Sequence, residues 1–187
     1  DAALDELGLK LEVLDLTHDL GIPVFSANLF NGKEDGRFQA MGLGCHRRPD
    51  IALERALSEL GQCWKMAERD TYSLQFQDTP LSREPFLRAD PRQRPRSASD
   101  FSRKQRDDFL DDIEEAVELL RARGLEMLVV DLTRPDVGFP VARVIVPGLV
   151  HFRPRFGCRR LFEVPGAAGW IDREAGEEDL NPVPFYL

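Results

Sequence analysis

"GLKLEVLDLTHDLGIPV" at residues 8–24 and "GLEMLVVDLTRPDVGFPV" at residues 124–141 are two versions of one stretch, the second longer by a single residue. Their shared frame is Gly-Leu, an apolar run, Asp-Leu-Thr, then Asp, Gly and Pro-Val. Asp15 answers Asp131, Thr17 answers Thr133, and Pro23 answers Pro140. Each part has a physical reading. A glycine ends a helix. A run rich in β-branched residues makes a buried strand. A polar turn with glycine follows, and Pro-Val opens the next strand. The chain is therefore expected to contain a β-loop-β unit twice, in an α+β fold of mixed sheets packed with helices.

The second copy is preceded by a stretch with helical periodicity, residues 102–123. Phe109, Ile113, Ala116, Val117 and Leu120 form its apolar stripe. Asp107, Asp111, Asp112, Glu114, Glu115 and Glu118 crowd the same helix, and a solvated acidic face explains them better than a metal site. The first copy is preceded only by "DAALDEL", which reads as the last two turns of a similar helix. The chain is thus expected to start inside a helix and to be part of something longer. "FSANLF" continues the first repeat's second strand, "NGKEDG" is a turn, and residues 37–44 are a further strand ending in glycines. Residues 71–99 carry many prolines with scattered Arg and Ser, which predicts a long mobile loop. "ARVIVPGLVHF" continues the second repeat. The proline-containing tail, residues 179–187, is expected to dock on a surface, since Phe185, Tyr186 and Leu187 gain by burial.

Bulk composition excludes several classes. The chain has 187 residues, 42% of them hydrophobic, enough for one sizeable core. A formal net charge of −8 argues against nucleic acid and anionic membrane surfaces as partners. No apolar run approaches a membrane span. Three cysteines without paired spacing fit a reducing, cytoplasmic setting, and the absence of Cys-x-x-Cys makes a zinc site improbable.

One helix draws chemical interest: "GLGCHRRPDIALERALSELGQ", residues 42–62. At about 100° per residue, Leu53, Leu57, Leu60 and Trp64 share a core face, while Arg55, Glu59 and Gln62 fall within about 60° of one another on a separate stripe. An exposed ion pair of i,i+4 spacing accounts for that stripe. So does a hard-cation site, because Mg²⁺ takes one or two protein oxygens and completes its shell with phosphates, which Arg55 would meet. Gly42 and Gly44 would let a ligand approach the backbone. Cys45-His46 suggests a nucleophile, but sequence neighbours seldom point at each other and no oxyanion-hole motif accompanies them.

Together with "DLTRPDVGFPVARVIVPGL" and the terminal "NPVPFYL", this helix resembles the YcaO family, in particular the azoline-forming branch of thiazole/oxazole-modified microcin biosynthesis. The resemblance covers nearly the whole chain, residues 1–187, but only the C-terminal half of the family domain. It implies an ATP-dependent cyclodehydratase. A Cys, Ser or Thr side chain of a ribosomal precursor peptide attacks the preceding carbonyl, the resulting oxygen is phosphorylated, and phosphate leaves to give a thiazoline or oxazoline. Residue by residue, it implies that Glu59 and Gln62 hold Mg²⁺, and that Arg55, Glu59, Gln62 and Arg143 contact the nucleotide. Pro182, Pro184 and the Leu187 carboxylate match the family's proline-rich end near the active site. The family's Ser-x-x-Glu-x-x-Glu-Arg motif does not occur here, so the chain alone is expected to be inactive. A leader-peptide-binding protein and a homodimer are the implied partners. Thioamide or amidine formation, and a non-catalytic peptide-binding scaffold, remain open as alternatives.

Overall fold

The computed structural model describes residues 2–32, 36, 38–68, 85–101, 108–150, 157–173 and 175–180. They fall into two compact units, one within residues 1–105 and one within residues 106–181.

The first unit opens with the short helix α1 (Ala2–Glu6), followed by three strands: β1 (Leu9–Asp15), β2 (Val24–Asn31) and β3 (Phe38–Cys45). All pair antiparallel in the order β1-β2-β3, with a register shift between Leu29 and Phe30. Helix α2 (Pro49–Glu68) returns across one face. Strand β2 is buried on both faces, as a central strand should be. Phe25, Ala27 and Leu29 point toward α2 and cluster with Ala40, Ala52, Ala56 and Leu60. Ser26, Asn28 and Phe30 alternate onto the other face.

Helix α2 lies almost on the backbone of β3. A Cβ on Gly42 would overlap Ala56 O and Leu60 N, and one on Gly44 would overlap Ala52 O and stand 2.6 Å from Ala56 N. These glycines therefore make room for the helix, not for a ligand as the sequence suggested. Their presence also shifts the core face. Ala52 and Ala56 are fully buried, while Leu57 is 40% exposed, because only small side chains fit against a strand that has none.

Residues 85–101, the later part of the expected mobile loop, pack on both sides of the sheet, with Leu87 on the second face and Phe101 against the cluster on the α2 side; residues 71–84 of that loop lie outside the described residues. Leu87 is buried with Phe30 and Phe38. The buried Asn28 side chain donates to Leu87 O at 2.8 Å and accepts from Ser26 Oγ at 2.5 Å, so neither polar group is left unpaired. The Arg88 guanidinium stacks 3.5 Å from the centre of the Phe30 ring. Arg96 pairs with Asp15 and lies over Phe101, which meets Phe25 edge-on. The arginines that looked like a solvated linker thus tie a strap down, while Arg92 and Arg94 bridge locally to Asp90 and Asp100.

Glu12 anchors the same strap. Its burial works to raise its pKa, but Lys10, the Ala89 N–H (3.0 Å) and Arg88 together outweigh that and hold it below the ordinary glutamate range. A carboxyl with a lowered folded pKa stabilises at pH above its unfolded value and loses that contribution as pH falls through the folded value. Hydrogen exchange should therefore show the Ala89 amide losing protection as pH falls below the ordinary glutamate range, earlier than the β2 amides. Simultaneous loss would contradict an anchor at Glu12.

The second unit begins with helix α3 (Phe109–Arg121), capped by Asp108, whose carboxylate accepts from Leu110 N at 2.8 Å. Residues 102–107 of the expected longer helix lie outside the described residues. Of the proposed apolar stripe only Leu120 is buried; Phe109 is 84% exposed. Strands β4 (Leu128–Asp131) and β5 (Ala142–Ile145) then form a two-stranded antiparallel ribbon. Helix α4 (Arg160–Ala167) follows, with Pro165 inside it, an element that proline and glycine hid from sequence reading.

The duplication is real at the level of single hydrogen bonds. Thr17 N donates to Asp15 Oδ1 at 3.0 Å and Thr133 N to Asp131 Oδ1 at 2.8 Å. Val24 N donates to Thr17 Oγ1 at 3.2 Å and Val141 N to Thr133 Oγ1 at 3.1 Å. Gly21 and Gly138 both take φ +68°, the left-handed conformation that glycine adopts without strain. The cross-strand pairs match too: Glu12 faces Asn28 where Leu128 faces Ile145, and Asp15 faces Phe25 where Asp131 faces Ala142. The surroundings differ. Every residue of β4 and β5 is exposed, against the expectation of a buried strand. Among the described residues, the second ribbon has no third strand and no covering helix like β3 and α2.

Candidate nucleotide and metal site

The stripe on α2 is held by the outer edge of β3. Glu59 Oε2 accepts from Leu43 N at 2.5 Å, and Arg55 Nη1 donates to Cys45 O at 2.9 Å. Both side chains are exposed, as is Gln62 one turn beyond Glu59. In an antiparallel strand, residues two apart send their N–H and C=O to the same edge. Leu43 and Cys45 are such a pair, so one edge anchors both charges. Sequence reasoning found Arg55 and Glu59 by helical step but missed these backbone partners, which only the pairing of β3 with β2 could have revealed.

Each anchored group keeps free capacity. Glu59 Oε1 and the second guanidinium nitrogen of Arg55 have no hydrogen-bond partner among the described residues. No cluster of three or more His, Cys, Asp or Glu side chains is found among those residues. A protein-only metal cage is therefore not what α2 offers. One carboxylate oxygen and one amide oxygen suit a hard cation that draws its other ligands from water and phosphate, and the free nitrogen of Arg55 suits the phosphate. This donor set fits ATP with Mg²⁺.

Of the Cys–His pair, the Cys45 backbone carbonyl serves the stripe by accepting from Arg55. Partial burial pushes the Cys45 thiol up, against the pull of Arg55, so the sulfur is less of a thiolate than an ordinary cysteine. His46 Nδ1 accepts from Arg48 N at 3.0 Å and so shapes the turn before α2. Arg48 pairs with Asp50 at 2.6 Å in the helix's first turn. A groove of about 580 Å³ beside α1 and β1, lined by Leu4, Lys10 and Leu11, lies at the opposite edge of the sheet from Glu59.

Arg143 sits on β5 of the second unit, opposite Val130, and is exposed. In the repeat it takes the place of the buried Ser26. Pro182, Pro184 and Leu187 lie outside the described residues. No described helix is long and apolar enough to cross a membrane.

An α+β unit whose surface helix carries an arginine, a carboxylate and an amide on one exposed stripe is a candidate nucleotide-binding unit. The chain belongs to the YcaO family: residues 2–150 match the family described as YcaO cyclodehydratase, ATP- and Mg²⁺-binding. It is 34% identical over 158 residues to an uncharacterised protein of Methanothermobacter thermautotrophicus, covering 78% of this chain and 40% of that protein. Its fold matches that of a heterocyclase solved in complex with substrate and cofactor, with a TM-score of 0.87 and 35% identity, over 98% of this chain and 26% of that one. It also resembles YcaO from Methanopyrus kandleri bound with AMPPCP and Mg²⁺, with a TM-score of 0.58 and 27% identity, over 74% of this chain and 39% of that one. The chain thus spans well under half the length of these relatives.

Proposed function

We propose that this chain is the part of an ATP-dependent cyclodehydratase that holds one side of the Mg²⁺–nucleotide complex, in an enzyme that forms thiazolines or oxazolines in a ribosomally made peptide. The supporting observation is the pair Arg55 and Glu59, both held against β3 with polar atoms of each left over. The match to a heterocyclase over nearly the whole chain favours azoline formation over thioamide or amidine formation.

In this reading Glu59 Oε1 and the Gln62 amide oxygen hold Mg²⁺, and Arg55 meets the phosphates. Arg143 is a further phosphate contact, and the Pro182, Pro184 and Leu187 tail belongs to the active site. Bound ATP supplies the phosphoryl group that turns a peptide amide oxygen into a leaving group, with Mg²⁺ neutralising charge. The chain's own part is positioning. Leu43 N–H keeps the Glu59 carboxylate turned to the strand edge, and Cys45 C=O fixes the guanidinium plane, so little side-chain order remains to be gained on binding. The acidic charge and three free cysteines fit a reducing, cytoplasmic setting.

The test is a labelled peptide. A Cys-containing peptide carrying ¹⁸O at its backbone carbonyls is incubated with the full-length protein and Mg²⁺-ATP. The expected result is loss of one water per ring and ¹⁸O in the released phosphate. Phosphate without ¹⁸O would overturn amide activation.

A further inference from the structure

We propose that one face of the β4–β5 hairpin is a docking site for a partner protein, a segment of which sets an arginine on Asp131 and an aromatic ring on Ala142 and Val144. The site is separate from the nucleotide reading above. Arg143 stands between Ala142 and Val144 in β5, so it lies on the opposite face of the hairpin.

The first copy of the repeat shows what this face of such a hairpin holds. Asp15 lies opposite Phe25 across β1 and β2, and Ala27, two residues on, shares their face. The Asp15 carboxylate accepts from the Thr17 amide and pairs with Arg96. The Arg96 guanidinium also donates to Asp100 O at 2.9 Å and lies 4.1 Å from the centre of the Phe101 ring. That ring meets Phe25 edge-on, with 5.2 Å between centres. Arginine and ring thus reach the hairpin together, with the short turn Ala98–Asp100 between them.

The second copy keeps the receiving half of this arrangement. Asp131 lies opposite Ala142, and Val144 shares their face. The Thr133 hydroxyl and amide hold the Asp131 carboxyl below the ordinary aspartate range, so it is ionised at neutral pH. No cation pairs with it among the described residues. Ala142 stands where the first copy has Phe25, which leaves the room of a ring beside the carboxylate. Val144 is 54% exposed where Ala27 is fully buried, and Val137 in the turn is 62% exposed where Leu20 is buried. An ionised carboxylate beside uncovered aliphatic surface complements a cation carried on an apolar ring. A purely apolar partner would bury the charge without a counterpart, and a lone arginine would leave the aliphatic surface wet.

The probe is a fluorescent peptide with the sequence of residues 94–101, RPRSASDF, titrated into the 187-residue chain. Saturable binding is expected. Asp131→Asn should weaken it about tenfold, the scale of one charge-assisted hydrogen bond, while the amide oxygen still accepts from Thr133 N and keeps the turn. A peptide carrying R96Q should lose about the same factor against the wild-type chain and nothing further against the D131N chain, which marks a direct pair. Ala142→Phe supplies the ring that the first copy has and should tighten binding by about three- to tenfold. No saturable binding, an unchanged affinity in D131N, or losses that simply add would overturn the docking site. A full-length protein that fails to bind the peptide while the 187-residue chain binds it would place the cover in the same polypeptide and overturn the partner.

Discussion

Glu59→Gln is expected to lower Mg²⁺-dependent nucleotide affinity by roughly thirty- to a hundredfold, with the melting temperature nearly unchanged. The substitution is selective because of what Glu59 does twice. Its Oε2 accepts from Leu43 N, and an amide oxygen can still accept that bond. Its charge is needed only by the cation, and the loss of one charge-assisted contact amounts to about 2–3 kcal/mol. Titration calorimetry with and without Mg²⁺ measures the first effect and thermal unfolding the second. An unchanged Mg²⁺-dependent affinity would remove Glu59 from the candidate site. A large fall in melting temperature would make its role structural.

Gly44→Ala should show the opposite pattern, a stability loss of about 3 kcal/mol or more. The added Cβ would overlap Ala52 O, a helix backbone atom that cannot swing aside like a side chain end. Helix α2 would have to lift from β3, exposing part of the cluster that includes Phe25, Leu29 and Leu60. Gly42→Ala carries the same penalty through Ala56 O and Leu60 N. Denaturant unfolding measures both. By contrast Gly61→Ala has open space around it and should stabilise slightly, by the helix propensity of alanine over glycine, about 1 kcal/mol. A mild effect at Gly44 would mean that the helix does not rest on the strand as described.

The repeat was legible because its frame is local. Asp, Thr, Gly and Pro at fixed offsets dictate a turn whose hydrogen bonds all close within a few residues, and both copies form it. The stripe of Arg55 and Glu59 was legible because helical geometry alone places those residues together. The core face of α2 was not, since Ala52 and Ala56 outrank Leu53 and Leu57 only when the opposing strand carries Gly42 and Gly44. The strap over residues 85–101 was missed for a related reason. Its prolines and arginines read as linker, while its anchors, Leu87, Arg88 and Phe101, are single residues whose partners lie far away in sequence. Strand β4 has the composition of an interior strand, and the cover that such a composition implies is not among the described residues.

The duplicated turn also bears on the order in which the chain folds. The bonds closing each ribbon, Thr17 to Val24 and Thr133 to Val141, span seven and eight residues. The bond from Asn28 to Leu87 spans 59. Closing a longer loop costs more chain entropy before any contact rewards it. Both hairpins are therefore expected to form early, available as templates while the strap is still unattached. The polar groups of Ser26 and Asn28 would then stay hydrated until Leu87 arrives, so the sheet's second face is expected to become dry late in folding, after the chain has committed to its topology.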